Sequence, residues 1–262
     1  MKQTAGRRTA LWTLLFWAIV GGGSYLLGVQ LELGQRAENS VLDAADFTTQ
    51  PPPPLNLVSV PMIGVSLVVI GMIAFFAHGI RRALVVVIVP GLGIAASQLL
   101  KLELLTRPEL FEFDVPNTFP SGHMTVFTVL IGGLVWAVPA RFRALVLVVG
   151  AAVLGAAAWQ LLEYGWHRPS DVFGGLALGV SAFAIACVLK PATARGTVTL
   201  GQAASIGLAL CGWALIVGAL LLALWSWMSG RSALMLGSGQ FGAIGLSALA
   251  ARALLRLGSG KK

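Results

Sequence analysis

Long apolar runs separated by short polar breaks dominate the chain. Eight of them recur, at about 10–30, 58–79, 83–100, 122–140, 144–163, 170–189, 203–228 and 233–255. Each is long enough to cross roughly 30 Å of hydrocarbon as an α-helix. The last run reads least clearly as a span, because it is rich in Gly and Ser. The breaks His78-Gly79-Ile80-Arg81-Arg82 and Arg141-Phe142-Arg143 are short, so the helices they join are expected to lie antiparallel side by side. The pattern therefore predicts an all-α fold, a polytopic transmembrane helix bundle. The first run follows Lys2, Arg7 and Arg8 and begins like a signal peptide. Its apolar part is too long for one and no clear small-x-small cleavage site follows, so it reads as a retained anchor. Arg7-Arg8 alone is too little for a twin-arginine export signal.

The charges give the bundle a direction. With the N-terminus in the cytoplasm and eight crossings, the outer connections hold Arg36, Lys101, Arg107, Arg168 and Arg231. The other thirteen of the 18 Lys and Arg, among them Lys190, Arg195, Lys261 and Lys262, fall inside. That asymmetry follows the positive-inside rule, with both termini cytoplasmic. All 10 acidic residues fall outside. The net charge of +8 is thus a topology signal, and nucleic acid is excluded as a partner. Only 11% of residues are charged, where soluble domains carry about a quarter, and the 32 glycines suit close helix packing in a bilayer. Cys187 and Cys211 both lie in apolar runs and indicate neither a disulfide framework nor a zinc site.

Three outer connections differ in content. Residues 31–57 form an acidic stretch ending in Pro51-Pro52-Pro53-Pro54, which reads as a tolerated surface loop, a stiff spacer or cover. Residues 101–121 and 164–171 instead gather ionisable groups at helix ends, where a membrane protein places its functional groups. Of the three histidines, His78 sits beside Arg81 and Arg82 at the inner edge and reads as interfacial. His123, in Phe119-Pro120-Ser121-Gly122-His123, directly precedes the fourth apolar run. His167, in His167-Arg168-Pro169-Ser170-Asp171, directly precedes the sixth.

Such an arrangement suits an anion. Helix N-termini carry unpaired amides and partial positive charge. Ser121 and Gly122 place a hydroxyl and an unobstructed backbone at one of them, and Pro169 suits the first turn of the other. Asp171, four residues after His167, can reach back to one imidazole nitrogen and leave the other free to attack. Arg107 adds a planar cation for bidentate phosphate contact, and Lys101 adds a second cation. Trp159, Tyr164 and Trp166 read as an aromatic belt at the outer membrane edge. Gly91-x-Gly93 mimics a dinucleotide loop but lies inside a span, with no strand before it. Gly175-x-x-x-Gly179 permits close helix approach, within the bundle or between copies.

Together, Lys101…Arg107-Pro108, Pro120-Ser121-Gly122-His123 and His167-x-x-x-Asp171 resemble the three-part signature of the type 2 phosphatidic acid phosphatase superfamily. The resemblance covers about residues 58–190. It implies a six-helix catalytic core of 58–190 packed with helix 10–30, preceded by a segment 1–57 of anchor and outer loop. Residues 191–262 would add two C-terminal spans and a basic tail. It further implies a lipid phosphatase in which His167 is the nucleophile that becomes phosphohistidine, Asp171 orients it, and His123 is the general acid. Lys101, Arg107, Ser121 and the Gly122 backbone would hold the phosphate, with no cofactor and no metal. The partner would be a lipid phosphate of the bilayer, of polyprenyl phosphate or pyrophosphate or phosphatidate type. The location would be a bacterial inner membrane, with the site facing outward. The oligomeric state stays open.

Two positions depart from the family pattern. Five residues separate Lys101 from Arg107, where six are usual, so the six-spaced position is Leu100. The third part usually begins with Ser-Arg, and Gln160-Leu161 stand there instead; Arg168 is expected to replace the lost arginine from another direction, while Glu163 could repel a phosphate. A relative without activity that binds lipid or acts as a scaffold, a lipid phosphotransferase and a transporter are the rival readings. The near absence of ionisable residues mid-span argues against the transporter.

Overall fold

The computed structural model describes residues 2–110, 116–189 and 199–259. Lys190, Arg195, Lys261 and Lys262, along with Glu112 and Asp114, lie outside these residues. The described chain is all-helical: α1 (Lys2–Ser24), α2 (Glu32–Asp43), α3 (Val60–His78), α4 (Ile80–Leu99), α5 (Gly122–Ala137), α6 (Arg143–Glu163), α7 (Pro169–Leu189), α8 (Thr199–Ser229) and α9 (Ser232–Ser259). Two of these helices continue through a π-helical turn, α1 through Tyr25–Gln30 and α4 through Leu100–Leu104. Seven helical segments are long and apolar enough to cross a membrane, and the chain is an integral membrane protein. The eighth expected span, 122–140, is the shorter helix α5 with 16 residues. At 1.5 Å per residue it reaches only about 24 Å.

Helix α5 is an inner helix of the bundle. It packs against α3, α4, α6, α7 and α9. Its core residues Met124, Val129 and Val135 are wholly buried. Helices α3 and α8, by contrast, keep most of their apolar side chains on the outside, as lipid-facing helices do. The approach of α7 to α5 depends on Gly175 and Gly179. A Cβ on Gly175 would lie 2.7 Å from the Ser121 carbonyl oxygen, and one on Gly179 would lie 2.5 Å from Thr128 Cγ2. The Gly175-x-x-x-Gly179 face is therefore filled from within the chain.

Helix α9 is not an appendage of the core. It packs on α5, α6 and α7 as well as α8, and Gly245 and Gly212 meet backbone to backbone, each too close to the other's carbonyl to admit a side chain. At the end of the bundle away from His123, basic residues close the helix C-termini. Arg82 Nε donates to Trp136 O, Arg143 Nη1 donates to Gly258 O, and His78 Nε2 lies 3.3 Å from Val138 O. Cations there complement the helix dipoles.

The segment 31–57 departs from expectation. It is not a loop spacer: Glu32–Asp43 is helix α2, packed on α9 and on the π turn after α1. Gln35, Glu38 and Val41 recur every third residue and form its buried face. The proline run is pinned as well. Gln160, at the position where the family pattern has serine, donates to Pro53 O at 3.0 Å and accepts from Leu55 N at 3.2 Å.

Candidate active site

The first amides of α5 and α7 lie side by side, because Ser121 N donates to Asp171 O at 2.9 Å. Ser121 is wholly buried and caps α5, its Oγ accepting from Met124 N at 3.3 Å. Gly122 opens the helix without a side chain. A Cβ there would lie 3.0 Å from Gln98 Nε2 and 3.9 Å from Lys101 Nζ. Both α4 side chains therefore reach the start of α5. Lys101 lies in the π turn Leu100–Leu104, closed by Leu105 N donating to Leu100 O at 2.9 Å. A π turn carries one residue more than an α turn, and from it Lys101, one place off the usual register, reaches that helix end.

His167 precedes α7, held through its backbone N–H on Leu161 O. Its Nδ1 faces Asp171 Oδ2 at 3.4 Å. The same oxygen accepts from Thr118 Oγ1 at 2.6 Å and from Arg168 N at 3.1 Å. Asp171 is wholly buried, and a carboxylate in such a place needs this many donors. The His123 ring is half-buried and lies across from His167, with ring centres 6.2 Å apart. Among the described residues the His123 ring makes no hydrogen bond, so its nitrogens are open to a substrate. Trp166 packs edge-on against His123 at 5.6 Å and donates to Thr48 O at 2.7 Å. Trp166 therefore belongs to the site, while Trp159 and Tyr164 pair with each other.

Arg107 is carried by a loop that other elements grip. Tyr25 OH and Gln30 Nε2 both donate to Thr106 O, and Gln35 Nε2 donates to Pro108 O. Asn117 Nδ2 donates to Leu105 O at 2.9 Å. The Arg107 side chain, only 4% exposed, points Nη2 at Asp171 Oδ1 (3.6 Å) and at Glu38 Oε2 (3.5 Å). Among the described residues, its Nε and Nη2 are buried without a hydrogen bond. These N–H groups can donate to a phosphate oxygen without first breaking a protein hydrogen bond. Arg168, at 6% exposed, is buried beside His167. Leu161, at the position of the lost arginine, is wholly buried among apolar neighbours. Glu163 accepts from Gln240 of α9.

Glu38 is the site residue that sequence reasoning missed. Its Oε1 accepts from Ser170 N at 2.9 Å, so a protein carboxylate already occupies the N-terminus of α7. The expectation of two free helix ends for an anion is corrected to one, that of α5. Burial, reinforced by the Asp171 carboxylate, pushes the Glu38 carboxyl up from 4.5 to about 7, against the opposing pull of Ser170 and Arg107. The native state thus holds this proton more tightly than the unfolded chain. Stability falls as pH rises from 4.5 towards 7 and stays lower above it. An ionised Glu38 also competes with a phosphate for Arg107. Substrate KM in the wild type is therefore expected to climb through pH 7, while Glu38→Gln removes that climb and melts higher at pH 8. Parallel KM profiles over pH 5.5–8.5 would show that Glu38 does not compete.

Among the described residues no three His, Cys, Asp or Glu side chains converge as a metal site. The model of the PAP2 superfamily matches residues 101–195, which hold Lys101, Arg107, both histidines and Asp171. A solved structure titled as the first transmembrane PAP2 type phosphatidylglycerolphosphate phosphatase, from Bacillus subtilis, is similar at 20% identity. The match covers 71% of this chain and 99% of that one, with a TM-score of 0.47. No curated protein matches the chain.

Proposed function

We propose, on the premise that this chain belongs to the PAP2 superfamily of type 2 phosphatidic acid phosphatases, that it hydrolyses a lipid phosphomonoester or pyrophosphate through a phosphohistidine. The observation that carries this reading is the facing pair His123 and His167, the latter backed by Asp171 and flanked by Arg107. Asp171 holds the Nδ1–H of His167 and leaves Nε2 with its lone pair. Nε2 attacks phosphorus, a P–N bond forms, and the P–O bond to the lipid breaks. His123 gives its proton to the departing oxygen. It then takes a proton from water, which attacks the phosphohistidine, releases inorganic phosphate and restores His167. Lys101, Arg107 and the first amides of α5 stabilise the charge on the phosphate oxygens, and Ser121 can donate its hydroxyl while capping the helix. The domain division and the outward-facing orientation in a bacterial inner membrane are part of the same proposal. A polyprenyl phosphate or pyrophosphate and a phosphatidate-type lipid both have the required group.

The purified protein is expected to release phosphate from at least one of these lipids with EDTA present as fast as without it. Loss of turnover in EDTA, restored by a divalent ion, would refute metal independence. No turnover on any of the lipids would favour the binding-only reading, which the apolar Leu161 supports. In this proposal Arg168 supplies the cation that Leu161 lacks. Charge-assisted hydrogen bonds contribute about 1.5–3 kcal/mol, so Arg168→Ala should lower kcat/KM by roughly ten- to a hundredfold. Full activity in that variant would remove Arg168 from the site.

A further inference from the structure

At the end of the bundle away from the histidine pair, α1, α8 and α9 form an open-sided cavity of about 570 Å³. Arg8, Arg252 and Arg256 line it together with the rings of Trp12, Trp17 and Trp213. Arg252 and Arg256 are one turn apart on α9 and so share a face. Phe16 stacks edge-on between Trp17 and Trp213, at 5.4 and 6.2 Å, and ties α1 to α8.

Among the described residues no carboxylate pairs with these arginines, and Arg252 Nε is buried without a hydrogen bond. The sequence explains why: its acidic residues all lie between Glu32 and Asp171, and none occurs before or after. Three cations brought together in a partly dry cavity repel one another and gain from an anion of outside origin. A soluble anion would use only the arginines. The volume is in the range of organic-ligand pockets, and the tryptophan rings call for an apolar body attached to the charge.

We propose that this cavity binds an anionic phospholipid from the leaflet opposite the candidate active site, its phosphate among Arg8, Arg252 and Arg256 and an acyl chain along the tryptophans. In the charge-based orientation that leaflet is the cytoplasmic one. Such a lipid would hold α9, which also packs on α5 and α7, against α1.

The test is native mass spectrometry of the full-length protein with phosphatidylglycerol and phosphatidylcholine as competing probes. The wild type is expected to retain phosphatidylglycerol at least tenfold over phosphatidylcholine. The preference should shrink to within twofold in R252Q/R256Q and persist in R107Q, whose change lies in the other pocket. No preference in the wild type, an undiminished one in R252Q/R256Q, or its loss in R107Q would overturn the proposal. So would displacement of the lipid by equimolar glycerol 3-phosphate, which would mark a site for a soluble anion. Should R252Q/R256Q not fold, the wild type alone decides. Bromine on the acyl chain of phosphatidylglycerol must quench tryptophan fluorescence more than bromine on phosphatidylcholine, and equal quenching refutes the site.

Discussion

His167→Ala is expected to lower phosphate release by at least about a thousandfold, the scale on which removal of a covalent nucleophile acts. The loss should fall on kcat, because in the proposed site Lys101, Arg107 and the α5 amides would still hold the substrate phosphate. The protein should remain folded. The turn that carries His167 is fixed by its backbone, with Trp166 N and His167 N both donating to Leu161 O. The side chain itself contributes a contact to Asp171 at 3.4 Å, long for a hydrogen bond. Asp171 keeps Thr118 and the Arg168 amide when the imidazole is gone. Quenching turnover in alkaline detergent supplies the second readout: the wild type should carry phosphate that is stable to base and lost on later acid treatment, and the variant none. A variant with more than a tenth of wild-type turnover, or wild-type enzyme without any trapped phosphate under burst conditions, would rule out the phosphohistidine route.

What could be read from the chain beforehand follows the range over which each signal acts. Hydropathy placed the helices, because a span must satisfy its own backbone and cover it with apolar side chains within about twenty consecutive residues. His123 and His167 were legible for a similar reason. Each sits in a short block at a helix start, beside the Ser121 cap or the Asp171 carboxylate that its local geometry requires. Glu38 was not legible, since its partners Arg107 and Ser170 are far along the chain and a short polar helix reads as a solvated loop. The threefold spacing of Gln35, Glu38 and Val41 was its only trace, and two of those three residues are polar. The reach of Lys101 was hidden differently. A π turn is decided where the helix meets the grip of Asn117 on the following loop, and no residue type announces it. In α9 the glycines and serines weakened the hydropathy signal for the same reason that they pack well: Gly239, Gly242 and Gly245 admit Pro169, Phe173 and Gly212 to within contact of the backbone.

The role of His123 has a sharper signature than loss of activity, because an acid matters only to a leaving group that needs a proton. A lipid alkoxide departs as a strong base, whereas p-nitrophenolate departs unaided. His123→Ala is therefore expected to lower hydrolysis of the lipid phosphate by about 10²–10⁴-fold, the usual contribution of a positioned acid. Hydrolysis of p-nitrophenyl phosphate should fall by less than about tenfold at the phosphorylation step, read as the burst of p-nitrophenolate. The geometry favours this division of labour. Among the described residues the His123 ring is held by packing against Trp166 and not by a hydrogen bond, and its centre lies 6.2 Å from that of His167. The burst should persist in the variant while steady-state turnover of both substrates stays low, since in the proposed mechanism His123 also activates the water that clears the phosphohistidine. Equal losses in the burst for both leaving groups would instead make His123 a phosphate-binding residue and leave the acid to be sought elsewhere, with Lys101 the next cation at the start of α5.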